Sequence, residues 1–225
     1  MSSSGNSKHN CLIVLPGCSD GVSAQSFIQC FTLTHSAFSV AIATPNGKNP
    51  EFINQDEQSR RWLNDFRTKS FATPLSLDSV DANKYSSILF PHSPGAATDL
   101  ADNKELGKIL CNFIKDKKLI CAIGMGVAGL FSAFEETDGP WGFKSYAMTG
   151  SSVHELSRSA SFATLVVIPE DRARDLGGRF SASGEPEAVH VCVDRHLVTG
   201  QNEASTLTAV QNLVLLGNQR QNKPK

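Results

Sequence analysis

Leu119-Ile120-Cys121-Ala122-Ile123-Gly124-Met125-Gly126-Val127-Ala128-Gly129-Leu130 decides how the chain is read. Residues 119–123 form a short, continuous apolar run, the pattern of a parallel strand covered on both faces. Gly124 and Gly126 then permit a tight turn with positive φ. Residues 127–134 continue as an apolar, helix-compatible run. A strand, a sharp turn and a helix in this order lift one residue above the C-terminal edge of a sheet, over a helix N-terminus. Ser or Cys sits at that apex when the arrangement serves as a nucleophile elbow. Here the apex is Gly124 and its neighbour is Met125, neither of them a useful nucleophile.

Working outward, strands are predicted at 11–15, 38–44 and 86–91, with helices at 23–33 and 100–115 between them. Phe27, Ile28, Phe31 and Leu33 should face the core from the first helix. Leu106, Ile109, Leu110, Phe113 and Ile114 should do so from the second. Residues 51–69 carry a helix or an edge extension with Trp62 and Phe66. Beyond the elbow, 135–143 reads as an acidic loop and 145–148 as a short extended piece. Residues 162–168 read as a strand ended by Pro169, 188–193 as a strand, and 204–216 as the closing helix. Strands alternating with helices imply a mostly parallel sheet with helices on both faces. Residues 1–10 read as a disordered lead, 11–217 as one domain, and 218–225 as a polar tail.

The chain has 225 residues, 40% hydrophobic and 19% charged, with a formal net charge of -1. That balance supplies no strong field for nucleic acid or an acidic membrane, so RNA binding by the chain alone is disfavoured. The N-terminus lacks a signal-peptide core, and no run approaches the roughly 18 apolar residues of a membrane span, so direct membrane insertion is not expected. Six cysteines match no zinc or redox spacing. With no secretion signal, a reducing cytosol is expected. Neither a metal nor a cofactor is expected.

Four spaced motifs carry a family resemblance. The run Phe90-Pro91-His92-Ser93-Pro94-Gly95-Ala96-Ala97-Thr98-Asp99-Leu100 resembles the Pro-Gly-Gly-His-Gly…Asp-Leu segment of the ThiJ/PfpI superfamily, the class I glutamine amidotransferase-like proteins. Residues 119–130 resemble that family's elbow. Met148-Thr149-Gly150 fits the segment after it. Leu197-Val198-Thr199-Gly200-Gln201-Asn202-Glu203-Ala204-Ser205 is similar to its Leu-Ile-Thr-Gly-Gln-Asn-Pro-Ala-Ser. The resemblance spans about 11–216 and implies a flavodoxin-like three-layer α/β/α sandwich. A narrower likeness, in 21–27, 181–183 and 195–202, is to a non-catalytic branch. It implies a homotetramer and membership of the FERRY complex, an early-endosomal Rab effector that carries mRNA. The partners so implied are further copies of the chain, the other FERRY subunits, and an early-endosomal Rab GTPase and mRNA through the complex. The implied location is cytoplasmic, peripheral to early endosomes.

Departures from the family pattern point to a pseudoenzyme. Gly124 replaces the elbow Cys, and Met125 stands where His is common. Pro94 replaces the oxyanion-side His. Gln25 and Ser26 occupy the region that usually sends a carboxylate to the thiol. A thiolate needs both sulfur and a means of lowering its pKa, and both are missing. The expected remnant is a shallow pocket over Gly124, Met125, Ser93, Pro94, Gly95, Gln25 and Ser26, with no catalytic residue. The alternative is a thiol-dependent hydrolase, deglycase or glyoxalase using a non-elbow thiol such as Cys18, in the loop after the first strand. Cys121, three residues before the apex, reads as core. His154-Glu155 reads as a surface pair at a helix start. His190 and His196 read as solvent or interface positions.

Overall fold

A computed structural model describes residues 9–135 and 139–221. Seven strands form one sheet in the order Val191–Asp194, Leu197–Gly200, Leu119–Ile123, Ser87–Phe90, Asn10–Val14, Ser39–Thr44 and Leu75–Ser76. All pairs are parallel except the first, where Val191–Asp194 runs antiparallel as an edge strand. From Asn10–Val14 the chain moves first to one side, to Ser39–Thr44, and later to the other, to Ser87–Phe90. Such a reversal opens a crevice at the carboxyl ends of the central strands.

Side chains of the buried strands alternate between two cores, as the two-residue period requires. Leu12, Val14, Ile88, Phe90, Ile120 and Ala122 pack on one face, beneath helix Lys104–Lys115. Cys11, Ile13, Leu89, Leu119, Cys121 and Ile123 pack on the other. Helices Ala24–Ala37, Glu57–Arg67 and Thr206–Gln221 cover that second face. Cys121 is therefore core, fully buried on the face opposite Ile120 and Ala122. The helices have clear starts. Ser23, Asp56 and Asn103 each accept a backbone N–H three residues on, satisfying one of the donors a helix N-terminus leaves free. Leu106, Ile109, Leu110 and Phe113 are buried, and Ile114 packs partly buried against them. Phe27 and Phe31 are buried, with Ile28 and Leu33 half-covered.

Several expectations need correction. The run after the elbow is a 3-10 helix, Gly124–Ser132. Of Gly124 and Gly126, only Gly124 has a positive φ, at 55°. Gly126 is needed for a different reason, because a Cβ there would run into the carbonyl oxygen of Pro91. Residues 162–168 form a single 3-10 turn, Phe162–Thr164, followed by irregular chain. The sheet edge they would join is taken by Val191–Asp194, and Val166 is 71% exposed. Pro169 starts helix Pro169–Asp175 at its first position, where a missing N–H costs nothing. The tail expected from 218 is helical to Gln221, and the lead ends early because the first strand begins at Asn10. Residues 1–8, 222–225 and part of the predicted acidic loop, 136–138, lie outside the described residues.

Candidate functional site

At the carboxyl edge of the sheet, His92 is the residue around which the site is built. Its backbone is clamped by the start of the first helix. His92 N donates to Ser26 Oγ at 3.0 Å, and Ser23 N donates to the His92 carbonyl at 3.0 Å. Ser26 Oγ in turn bonds Thr206 Oγ1 at 3.0 Å. Thus Ser26, expected to line a pocket, is fully buried and positions the His92 loop.

The imidazole lies over the elbow. Met125 N donates to His92 Nδ1 at 3.2 Å. With Nδ1 accepting, the proton of the neutral ring belongs on Nε2. Burial lowers the His92 pKa below its ordinary value, against the opposing pull of the Glu203 and Glu155 carboxylates, so the ring is neutral at pH 7. A Cβ built on Gly124 would fall on His92 Nδ1. Gly124 is therefore required twice, by its φ and by the ring above it. In an elbow, the amide N–H following the apex serves the oxyanion hole. Here that donor, Met125 N–H, is already engaged by an acceptor.

The cavity consequently lies over His92 and not over Gly124. It measures about 810 Å³, and its wall includes Gln25, His92, Ser151, Glu155, Arg158 and Glu203. Of the residues expected to line a pocket, only Gln25 does so. Gly124, Met125, Ser93 and Gly95 are buried. Ser93 Oγ donates to the Pro91 carbonyl at 2.9 Å. Gly95 packs against the first-strand loop, donating its N–H to the Gly21 carbonyl at 3.1 Å. Pro94 begins the turn into the short helix Ala96–Asp99, its carbonyl accepting from Ala97 N. At Gly124 and Met125 the reason is the ring of His92, which fills the space that a shallow pocket over the elbow would need, while Gly95 is closed off by Cys18, Gly21 and Pro16 of the first-strand loop.

Glu155 and Glu203 are the site residues that sequence reasoning passed over. Glu155 is half-buried, not a surface residue, because Asn202 Nδ2 and Glu187 N both donate to its Oε1, at 2.8 and 2.9 Å. Glu203 Oε2 accepts from Ser23 Oγ at 2.6 Å. One signal was at Glu203, which stands where the resembling pattern carries Pro. At Glu155 it was the Ser-x-x-Glu capping spacing from Ser152, whose Oγ accepts from Glu155 N at 3.2 Å, while its other partners lie 32 and 47 residues away.

Cys18 lies outside this cavity. Its thiol donates to the Gly95 carbonyl at 3.5 Å, and burial together with the nearby Asp99 carboxylate raises its pKa. Burial also raises Cys11, to about 12, and raises Cys30, Cys111, Cys121 and Cys192. A raised thiol holds little thiolate at neutral pH. His196 is not a solvent position: it is 4% exposed, edge-on to the Tyr146 ring at 5.6 Å. Among the described residues no group of three His, Cys, Asp or Glu could hold a metal ion. No described helix is long and apolar enough to cross a membrane. As chemistry, the site offers a neutral imidazole N–H, two anchored carboxylates and polar amides around a cavity, while the elbow beneath is filled.

The chain is similar to the Homo sapiens protein named glutamine amidotransferase-like class 1 domain-containing protein 1. The two are 52% identical over 206 residues, covering 92% of this chain and 93% of the relative. Glyoxalase III from Candida albicans superposes with a TM-score of 0.81 at 16% identity, over 92% of this chain and 96% of its own. Drosophila melanogaster DJ-1beta superposes at 0.62 and 15% identity, over 95% and 93%. These two likenesses concern the fold. No protein-family model matches the chain.

Proposed function

Because the chain belongs to the family of glutamine amidotransferase-like class 1 domain-containing protein 1, on the DJ-1/ThiJ/PfpI fold, we propose that it is a non-catalytic, homo-oligomeric scaffold subunit. The assembly it serves is the FERRY complex, an early-endosomal Rab effector engaged in mRNA localisation. The observation that supports the non-catalytic reading is the filled elbow: Gly124 at the apex, His92 in the apex space, and the Met125 amide already bonded. A nucleophile at this position needs a side chain that the ring excludes and an oxyanion donor that the ring occupies. The raised thiols weigh against relocating the chemistry to Cys18.

In this reading the outer surface binds copies of the chain and the larger FERRY subunits. The Rab GTPase and mRNA are reached through those subunits, consistent with the chain's near-zero net charge. The chain is cytoplasmic and peripheral to early endosomes. Affinity capture of the tagged full chain from cells, with native mass measurement of the purified protein, tests the proposal. It predicts recovery of FERRY subunits and a tetramer mass. A monomer without those partners overturns it.

A further inference from the structure

Three serines or threonines among the described residues carry Lys or Arg three positions earlier: Ser70 after Arg67, Ser87 after Lys84, and Ser161 after Arg158. That spacing is what an acidic recognition site on a basophilic protein kinase reads, and charge patterning of this kind sets kinase specificity. The fold separates the three. Ser87 is fully buried in a central strand. At Ser70, the guanidinium of Arg67 is occupied, 5.8 Å from the Phe52 ring centroid and bonded to Asn64 Oδ1 at 3.2 Å. Phe71, the next residue, stacks on Phe31 at 5.3 Å.

Ser161 differs on every count. Residues 157–161 are all exposed. Leu156 packs partly buried against the core, so the exposed stretch starts from a fixed point. The hydrogen bonds that 157–161 make are short-range: Ser157 N to Val153 O, Arg158 N to Glu155 O, Ser159 N to Leu156 O, and Ser159 Oγ to Ser161 Oγ at 2.8 Å. The guanidinium of Arg158 has no ion pair or hydrogen bond among the described residues. A kinase must bind its acceptor segment extended, and opening turns held only by local bonds is the least costly unfolding a domain offers.

We propose that Ser161 is a phosphorylation site for a basophilic serine/threonine kinase that recognises Arg158. Ser161 Oγ attacks the γ-phosphorus of Mg-ATP and the new O–P bond forms. The bond from that phosphorus to the β,γ-bridging oxygen breaks and ADP leaves with the electron pair. The hydroxyl proton passes to the catalytic aspartate of the kinase. Ser159, whose hydroxyl contacts that of Ser161, and Arg158 both line the cavity over His92. The phosphate therefore adds close to two negative charges at the cavity rim, with the free guanidinium of Arg158 three residues away. This holds whether or not the scaffold reading does.

The test is phosphorylation of the folded full chain by a kinase of the arginine-minus-three class with Mg-ATP, followed by intact mass and site mapping. A peptide spanning 154–164 serves as control. The expected result is one phosphoryl group on Ser161. Ser161→Ala abolishes it, Arg158→Ala slows it by about tenfold or more, equivalent to a loss of at least about 1.4 kcal/mol in discrimination, and Ser70→Ala leaves it unchanged. No incorporation into the folded chain, whatever the peptide does, overturns the proposal. So does a main site at Ser70 or elsewhere, or indifference to Arg158→Ala.

Discussion

The elbow block, from Ser87 to Ser132, and the facing wall, from Tyr146 to Arg195, which runs from the amino edge of the sheet at Asp194 to the carboxyl edge at Ser151, are held by different physics. The elbow block is a close-packed core. Strands Ser87–Phe90 and Leu119–Ile123 are buried along their whole length, and the 3-10 turn that follows is buried residue by residue. The facing wall is short elements held by polar side chains. Ala147 N donates to Asp194 Oδ2 at 2.8 Å, Arg195 lies 3.7 Å over the Tyr146 ring, and Glu155 fastens the 187 loop and Asn202. Close packing tolerates no added atom, whereas a polar wall tolerates change in proportion to the bonds it loses. A filled elbow under an adjustable polar cavity is what that difference produces.

The largest effect should come from the elbow. Gly124→Ala puts a Cβ on the His92 ring at a φ of 55°. We expect a loss of about 2–5 kcal/mol in denaturant unfolding, from left-handed strain and overpacking together. In a His92→Ala background the same Gly124→Ala change should cost only the ~1–2 kcal/mol of backbone strain. A neutral Gly124→Ala would show that the two regions do not differ as described. On the polar wall, Glu155→Ala removes two hydrogen bonds, from Asn202 Nδ2 and from Glu187 N. It should cost about 1–3 kcal/mol by the same measurement, and a cost matching that of Gly124→Ala would erase the contrast.

His196 sharpens the comparison through pH. Burial, with Arg220 and Arg195 nearby, lowers its pKa to about 4, below the roughly 6.5 of an unfolded histidine. The unfolded chain then binds more protons between those values. Stability is full above about pH 6.5 and falls as pH drops toward 4. His196 Nε2 is buried without a partner, so His196→Phe should be close to neutral at pH 7 and should flatten that slope. An unchanged slope would mean another group carries it. The smallest effect is kinetic. All six thiols are raised, so iodoacetamide at pH 7 should label none faster than a free cysteine. One fast site, at Cys18 above all, would return the thiol-enzyme alternative.

The elbow block was legible because its signals are local. A five-residue apolar run, a glycine apex and the periodicity of Leu106, Ile109, Leu110 and Phe113 need no distant partner to be read. Residues 162–168 misled for the same reason in reverse. Leu165, Val166, Val167 and Ile168 have strand composition, but whether they pair depends on which segment holds the sheet edge, and Asp194 and its neighbours hold it. His92 was visible in the sequence, yet its role depends on the clamp from Ser23 and Ser26, 66 or more residues away. Glu155 reads as half of a surface pair until Asn202 is brought beside it.

The filled elbow is most directly tested by the ring nitrogens of His92. In nitrogen-15 NMR of the labelled native protein at pH 7, the imidazole should be neutral, with the proton on Nε2 and Nδ1 accepting from the Met125 amide. A ring protonated on Nδ1, or one that is charged at pH 7, would leave the Met125 N–H free and contradict the account.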